Sequence, residues 1–284
     1  MSSVLYDVAG PKAIARNRIL GVVTVLAVGA LFGFVIYRLI LTGQFSSDKW
    51  EVFSYGAVWK QIAEATGRTL AAFATAAVLS VLTGLVLGIA RLSDHRWVRW
   101  PATAVVELLR AIPVLILMML LYYGFPELGV HVPSYWAVVI ALTAYNGSVL
   151  AEVLRTGVDS VPRGQSEAGY AIGLRKTGVM RLVLLPQAIR AMLPVIVAQL
   201  VVTLKDTALG YIITYNELLY YARLVGTQAQ YDSPILQAGM VAAVIYIALC
   251  LALAGFAKWV EGRARRSPRT RTAAAPAEII DEGA

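Results

Sequence analysis

Long apolar stretches alternate with short polar ones along this chain. Six stretches, over 19–41, 69–90, 102–123, 134–151, 191–214 and 236–257, come close to the roughly 20 residues that cross a bilayer as a helix. In lipid each backbone N–H and C=O must find its partner inside its own segment, so these runs are predicted to be helices. Solid apolar runs also argue against a barrel, whose strands would alternate with a period of two. The expected fold class is all-α: a polytopic transmembrane helix bundle of about six spans.

Composition agrees. Of 284 residues, 58% are hydrophobic, and the mean hydropathy is +0.68, far from a soluble domain. Lysine and arginine then set the orientation. With the N-terminus inside, only Lys49, Lys60, Arg68 and Arg223 fall in outside segments, and Arg38, Arg110 and Lys205 lie within spans. Every other Lys and Arg is inside, so both termini are expected in the cytoplasm. The net charge of +8 is then explained by loops facing anionic headgroups, not by nucleic acid. The single cysteine, Cys250, allows no internal disulfide. The first apolar run is too long for a signal-peptide core and is read as a retained helix. His95 and His131 stand alone in loops, so no metal site is expected.

The polar segments divide the chain. Residues 1–68 hold a basic tail, the first helix and an extracytoplasmic segment in which Trp50, Phe53 and Trp59 are spaced for an interfacial amphipathic helix. Residues 69–257 hold the five other spans. Within them, 91–101 is a basic turn with Trp97 and Trp100, 124–133 is a Gly/Pro turn, and 215–235 is a polar outer loop with Tyr220, Tyr221 and Tyr231. From 258 to 284 the chain is rich in Arg, Ala, Pro and Glu and is expected to be disordered.

The most telling polar segment is 152–190, inside. Ala168, Gly169, Ala171 and Gly173 supply short side chains for close docking on another protein. Glu167 is expected near the start of a short helix, where the dipole favours a carboxylate. Gly173 is expected to end that helix in the left-handed conformation, with Arg175 and Lys176 placed to meet the negative end. Pro186 should hold Leu185 extended and begin the next span.

The spacing Glu167-Ala168-Gly169, Gly173, then Val183 and Leu185-Pro186, with Val161-Pro162-Arg163-Gly164-Gln165 upstream, resembles the cytoplasmic coupling loop of ATP-binding-cassette importer permeases. That family carries Glu-Ala-Ala, three residues, Gly, nine residues, then Ile-x-Leu-Pro. The resemblance makes Gly164, Gln165, Glu167, Ala168, Gly169, Gly173 and Leu174 the contacts with an ATPase. Tyr145-Asn146-Gly147-Ser148, Ala151-Glu152-Val153-Leu154-Arg155, Leu185-Pro186-Gln187-Ala188 and Leu204-Lys205-Asp206-Thr207 are similar to the polar amino-acid branch. Arg110-Ala111-Ile112-Pro113 resembles its Arg-Gly-Thr-Pro. Together these cover about 65–257. Val4-Leu5-Tyr6-Asp7 with Gly10-Pro11 is similar to actinobacterial glutamate-uptake permeases.

This resemblance implies a type I importer: a permease of the bacterial cytoplasmic membrane for glutamate or a related polar amino acid. It would work with ABC ATPase subunits, a second permease subunit (a paralogue or an identical copy) and an extracytoplasmic amino-acid-binding protein. The chain contains no G-x-x-x-x-G-K-[ST] loop, so it is read as no enzyme. ATP and Mg would be bound by the partner, and no cofactor by this chain.

Ionisable groups inside spans are costly and usually face a cavity or partner. Lys205 and Asp206 are adjacent, point about 100° apart, and read either as substrate contacts or as a subunit-interface contact. With Thr207, Tyr145, Asn146 and Arg110 they form the candidate substrate path. Tyr145 and Asn146 could instead make interhelical hydrogen bonds. Glu107 and Arg110, at i and i+3, read first as a structural pair. Pro113 is expected to break the third span. The alternative reading is an ion-coupled secondary transporter, which would call for internal repeats and matched broken helices. A membrane enzyme would call for a convergent nucleophile or metal cluster.

Overall fold

The computed structural model describes residues 10–264. The motif at 4–7 and the tail from 265 onward lie outside them. In chain order the main helices are α1 (Pro11–Leu41), α2 (Gly56–Arg91), α3 (Arg96–Ala111), α4 (Val114–Met119), α5 (Ser134–Asp159), α6 (Arg163–Ala171), α7 (Leu185–Asp206), α8 (Leu218–Gly226) and α9 (Ile235–Ala264). Among the described residues, five helical rods are long and apolar enough to cross a membrane, and the bent pair Arg96–Ala111 with Val114–Leu128 makes a sixth. The six spans overlap the six apolar runs.

The rods outrun the hydropathy signal. α2 has 36 residues and starts at Gly56, and one continuous rod runs Lys176–Ile213. At 1.5 Å per residue each is over about 50 Å long, against a hydrocarbon core of about 30 Å. Hydropathy reports only the part in lipid, and the polar ends stay helical beyond it. For the same reason the start of the tail moves: helix α9 continues past 258 to Ala264. Its last turn carries Arg263, which the dipole favours, with the guanidinium 4.1 Å from the Trp259 ring centre.

One other expectation changes. No single interfacial helix carries Trp50, Phe53 and Trp59. Trp50 and Phe53 lie in the short turns Asp48–Glu51 and Val52–Ser54, and Trp59 lies in α2. Tyr55, at φ −84° and ψ 121°, interrupts the helix between them. The third span breaks at Pro113, as expected. Ile112 is extended at φ −86° and ψ 123° before Pro113, as a residue preceding proline prefers, and the chain bends there by 96°.

The residues group into two compact units. The smaller comprises 10–59 and 223–240. There the buried Lys49 Nζ lies 2.8 Å from Asp232 Oδ2 and donates to the Asp232 carbonyl at 2.5 Å, and Gln237 Nε2 donates to the Gln44 carbonyl. The larger unit comprises 60–222 and 241–264. Its core gathers Ala72 and Ala76 of α2, Met118 of α4, Val138, Ala141 and Leu142 of α5, and Ile213.

The helix α2 meets α5 through small residues. Ala65, Thr69, Ala72, Ala76, Ser80, Gly84 and Gly88 fall on its buried side at nearly four-residue spacing. A Cβ on Gly84 would lie 2.7 Å from Leu150 Cβ and 3.2 Å from the Gly147 carbonyl oxygen. On Gly88 it would lie 3.2 Å from the Ala151 carbonyl oxygen. Lipid offers no hydrophobic drive between helices, so such backbone-level packing is what holds them together.

Candidate functional site

The candidate coupling helix is α6. Pro162, extended at ψ 133°, starts it, and Ile172 at ψ 12° ends it. Gly173 follows at φ +84°. The Leu174 N–H donates to the Gly169 carbonyl at 3.1 Å and the Gly173 N–H to the Tyr170 carbonyl at 2.9 Å. These two bonds are a Schellman motif, in which the residue after the cap takes the left-handed conformation.

The small residues of α6 divide between two tasks. Gly169 is buried, and a Cβ on it would come 2.9 Å from Val179 Cγ2. With Leu174 it seats α6 on the start of the next rod. Gly164, Gln165, Glu167, Ala168 and Ala171 are exposed. Tyr170 is 49% and Ile172 79% exposed, so the exposed side also offers two large apolar side chains.

Three local expectations fail. Glu167 is the fifth residue of α6, not in its first turn, because Pro162 starts the helix earlier. Arg175 and Lys176 do not sit at the C-terminal end of α6 but open the next rod. The dipole disfavours Lys176 there, and pairing with Asp94 offsets this. That pairing holds the Asp94 carboxyl below the usual aspartate range. Leu185 is helical at φ −58° and ψ −46°. The wide π-turn Val179–Leu184 precedes Pro186, and widening the turn makes room for the proline ring.

The candidate path residues lie in three separate places. Asn146 of α5 is fully buried: its Nδ2 donates to the Leu142 carbonyl at 2.9 Å, and its Oδ1 accepts from Gln199 Nε2 of α7 at 2.6 Å. Asn146 therefore ties two helices together. Tyr145 beside it is half-buried. Near the end of α7, Lys205 is exposed and its ammonium makes no hydrogen bond or ion pair among the described residues. Asp206 is half-buried and is the last α-helical residue before a tighter 3₁₀ stretch, Thr207–Ile213. Thr207 is fully buried, its hydroxyl donating to the Leu204 carbonyl at 2.7 Å.

Residues 80–266 match the family described as binding-protein-dependent transport system inner membrane component. The chain belongs to that family. Over 235 residues the permease is 40% identical to the glutamate transport system permease protein GluD of Corynebacterium glutamicum, covering 79% of this chain and 85% of that one. It is 33% identical over 195 residues to the glutamate/aspartate import permease protein GltK of Escherichia coli, covering 64% and 86%. Among solved structures it superposes on one titled as an amino acid ABC transporter with histidines at TM-score 0.67, with 27% identity, over 74% of this chain and 97% of that one. The inward-facing MetNI methionine transporter gives TM-score 0.63 at 17% identity, a likeness of fold alone. The permease is thus a multi-pass inner-membrane subunit of a type I ABC importer. Such permeases work with ATPase subunits and do not carry the ATPase site themselves.

Arg110 does not join Lys205. It enters a charge cluster near the end of the permease where α5 leads into α6. Arg91 is the hub, its side chain 7% exposed, with Nη1 2.6 Å from Glu152 Oε2 and Nη2 3.1 Å from Glu107 Oε1. Arg110 Nη1 stands 3.8 Å from Glu152 and 3.9 Å from Glu107. Arg155 holds Glu152 at 2.6 Å and Asp159 at 2.7 Å. The expected Glu107–Arg110 pair is therefore a weak edge of a larger cluster. Arg91 was readable only as a loop cation, since its partners lie on two other helices.

Glu217 also went unread. The loop 215–235 contains helix α8, and Glu217 caps it. The carboxylate is fully buried, accepting from the Leu219 and Tyr220 N–H groups at 2.8 and 2.7 Å and from the Tyr246 hydroxyl at 2.7 Å. Burial pushes its pKa up, against these three donors. Glutamate is not among the preferred N-cap residues, so the capping rules point away from it.

Proposed function

We propose that this chain is the permease through which glutamate or a related polar amino acid enters the cell, driven by ATPase subunits docked on the exposed side of α6. The observation that carries the reading is the 40% identity to a glutamate permease over most of both chains. The exposed Ala168, Ala171 and Ile172 beside a rigid Schellman end support the docking role. The partners are two ATPase subunits holding ATP and Mg, a second permease subunit, and an extracytoplasmic amino-acid-binding protein. This chain holds no cofactor.

In this mechanism ATP closes the ATPase pair and draws the two coupling helices together. The bundle opens outward to take the amino acid from its binding protein, and hydrolysis resets it inward. The permease is the bistable element, and the ATPase biases it. Of the candidate path residues, Lys205 suits a substrate carboxylate best, because no ion pair or hydrogen bond occupies it among the described residues. Asp206 and Tyr145 remain candidates at half-buried positions, whereas Asn146, Thr207 and Arg110 are engaged in helix contacts.

The test is reconstituted glutamate uptake beside ATPase stimulation by the binding protein. Lys205→Ala should lower uptake more than it lowers stimulation. Equal loss of both would make Lys205 structural, and unchanged glutamate uptake would remove it from the path.

A further inference from the structure

The end of α2 and the beginning of the rod 176–213 leave a cleft between them with two different ends. Its mouth is a cavity of about 610 Å³ where Ser93, His95, Lys176, Thr177 and Arg181 meet the apolar Ile89 and Leu185. One helical turn deeper is a second cavity of about 310 Å³, bounded by Leu85, by Leu150 and Leu154 of α5, and by Ile189, Met192 and Ile196. It contains no ionisable side chain. Ile89 follows Leu85 by one turn, and Leu185 precedes Ile189 by one turn, so the two cavities are consecutive along both helices.

We propose that this cleft binds one anionic phospholipid of the inner leaflet, its phosphate at Arg181 and an acyl chain laid toward Ile196. Three observations support it. First, the charge fits. Asp94, the one carboxylate lining the mouth, is committed to Lys176, whereas Arg181 makes no ion pair or hydrogen bond among the described residues. A guanidinium with a free fork suits a phosphate. Second, the length fits. From Val81 to Leu92 the α2 wall runs about 16 Å at 1.5 Å per residue, close to half of a core about 30 Å thick. Third, the level fits. Trp97 and Trp100, just past the mouth, are 78% and 71% exposed, as indoles at a membrane interface are. An amino acid, charged at both ends, is a poor occupant of the dry inner half.

The experiment uses the whole transporter, purified in mild detergent and exchanged with phosphatidylglycerol, phosphatidylcholine or inorganic phosphate before native mass spectrometry. Phosphatidylglycerol should be retained over phosphatidylcholine, and Arg181→Ala should weaken that retention about fivefold, the worth of one cation at a charged surface. Leu85→Trp, which fills the groove, should weaken retention of both lipids. Equal retention by wild type and Arg181→Ala overturns the proposal. So does retention of inorganic phosphate at the same concentration, which would mean a free-anion site. A photo-reactive p-benzoylphenylalanine at Ile89, itself 46% exposed, gives an independent readout. A phospholipid adduct supports the assignment, and an adduct with a second permease chain overturns it.

Discussion

Gly173→Ala probes how far coupling depends on the shape of the end of α6. The residue sits at φ +84°, with open space around its Cα. A methyl group there meets no neighbour, so any effect comes from the backbone. Holding an L-residue left-handed costs about 1–2 kcal/mol. Set against an alternative loop conformation, that is about a 5–30-fold loss in the population with both Schellman bonds closed. The assay is ATPase activity of the reconstituted transporter with and without binding protein, read beside substrate uptake. Gly173→Ala should lower uptake and binding-protein stimulation together while assembly in the membrane persists. Gly173→Val should be worse, because a β-branched residue resists this conformation more. Gly173→Asn should recover much of the loss, since asparagine tolerates it. If Asn is as damaging as Val, the left-handed cap is not what matters. If Val leaves uptake intact, α6 is not the coupling element.

Other substitutions test the packing and the polar clusters. Gly84→Ala drives a methyl to 2.7 Å from Leu150 Cβ and should cost about 1–3 kcal/mol, seen as a lower Tm of the purified permease. Gly67→Ala, with nothing within 4 Å, should leave Tm unchanged or raised. Glu152→Ala strips the 2.6 Å partner from both Arg91 and Arg155 and should destabilise by about 3 kcal/mol, as breaking a mostly buried ion pair does. A Tm equal to wild type would show that Glu107 and Asp159 suffice. Glu217→Ala leaves two N–H groups of α8 without their cap. At about 1 kcal/mol or more, amide exchange at Leu219 and Tyr220 should speed up, and unchanged protection would refute the capping role.

Some features were readable from the chain alone because their causes are local. The six apolar runs specify six helices, since each must satisfy its own backbone in lipid. Ile112-Pro113 specifies a break, because the proline acts on its immediate neighbour. Gly173 specifies a left-handed helix end, and the residues around it place that end between two spans.

Tertiary structure decided what depends on which helices meet. Gly169 and Ala168 are small neighbours, yet Gly169 is buried against Val179 and Ala168 is exposed. The reach of the neighbouring rod sets that difference, and periodicity cannot supply it. Asn146 could be read either as a path residue or as an interhelical contact until α7 brought Gln199 to it. Arg91 became a hub only when α3 and α5 set Glu107 and Glu152 on either side. The cleft that runs from Arg181 to Ile196 exists because α2, α5 and the rod 176–213, far apart in sequence, converge on it. A chain written in one dimension specifies its helices, but the charges and small residues they bury are matched only when those helices pack.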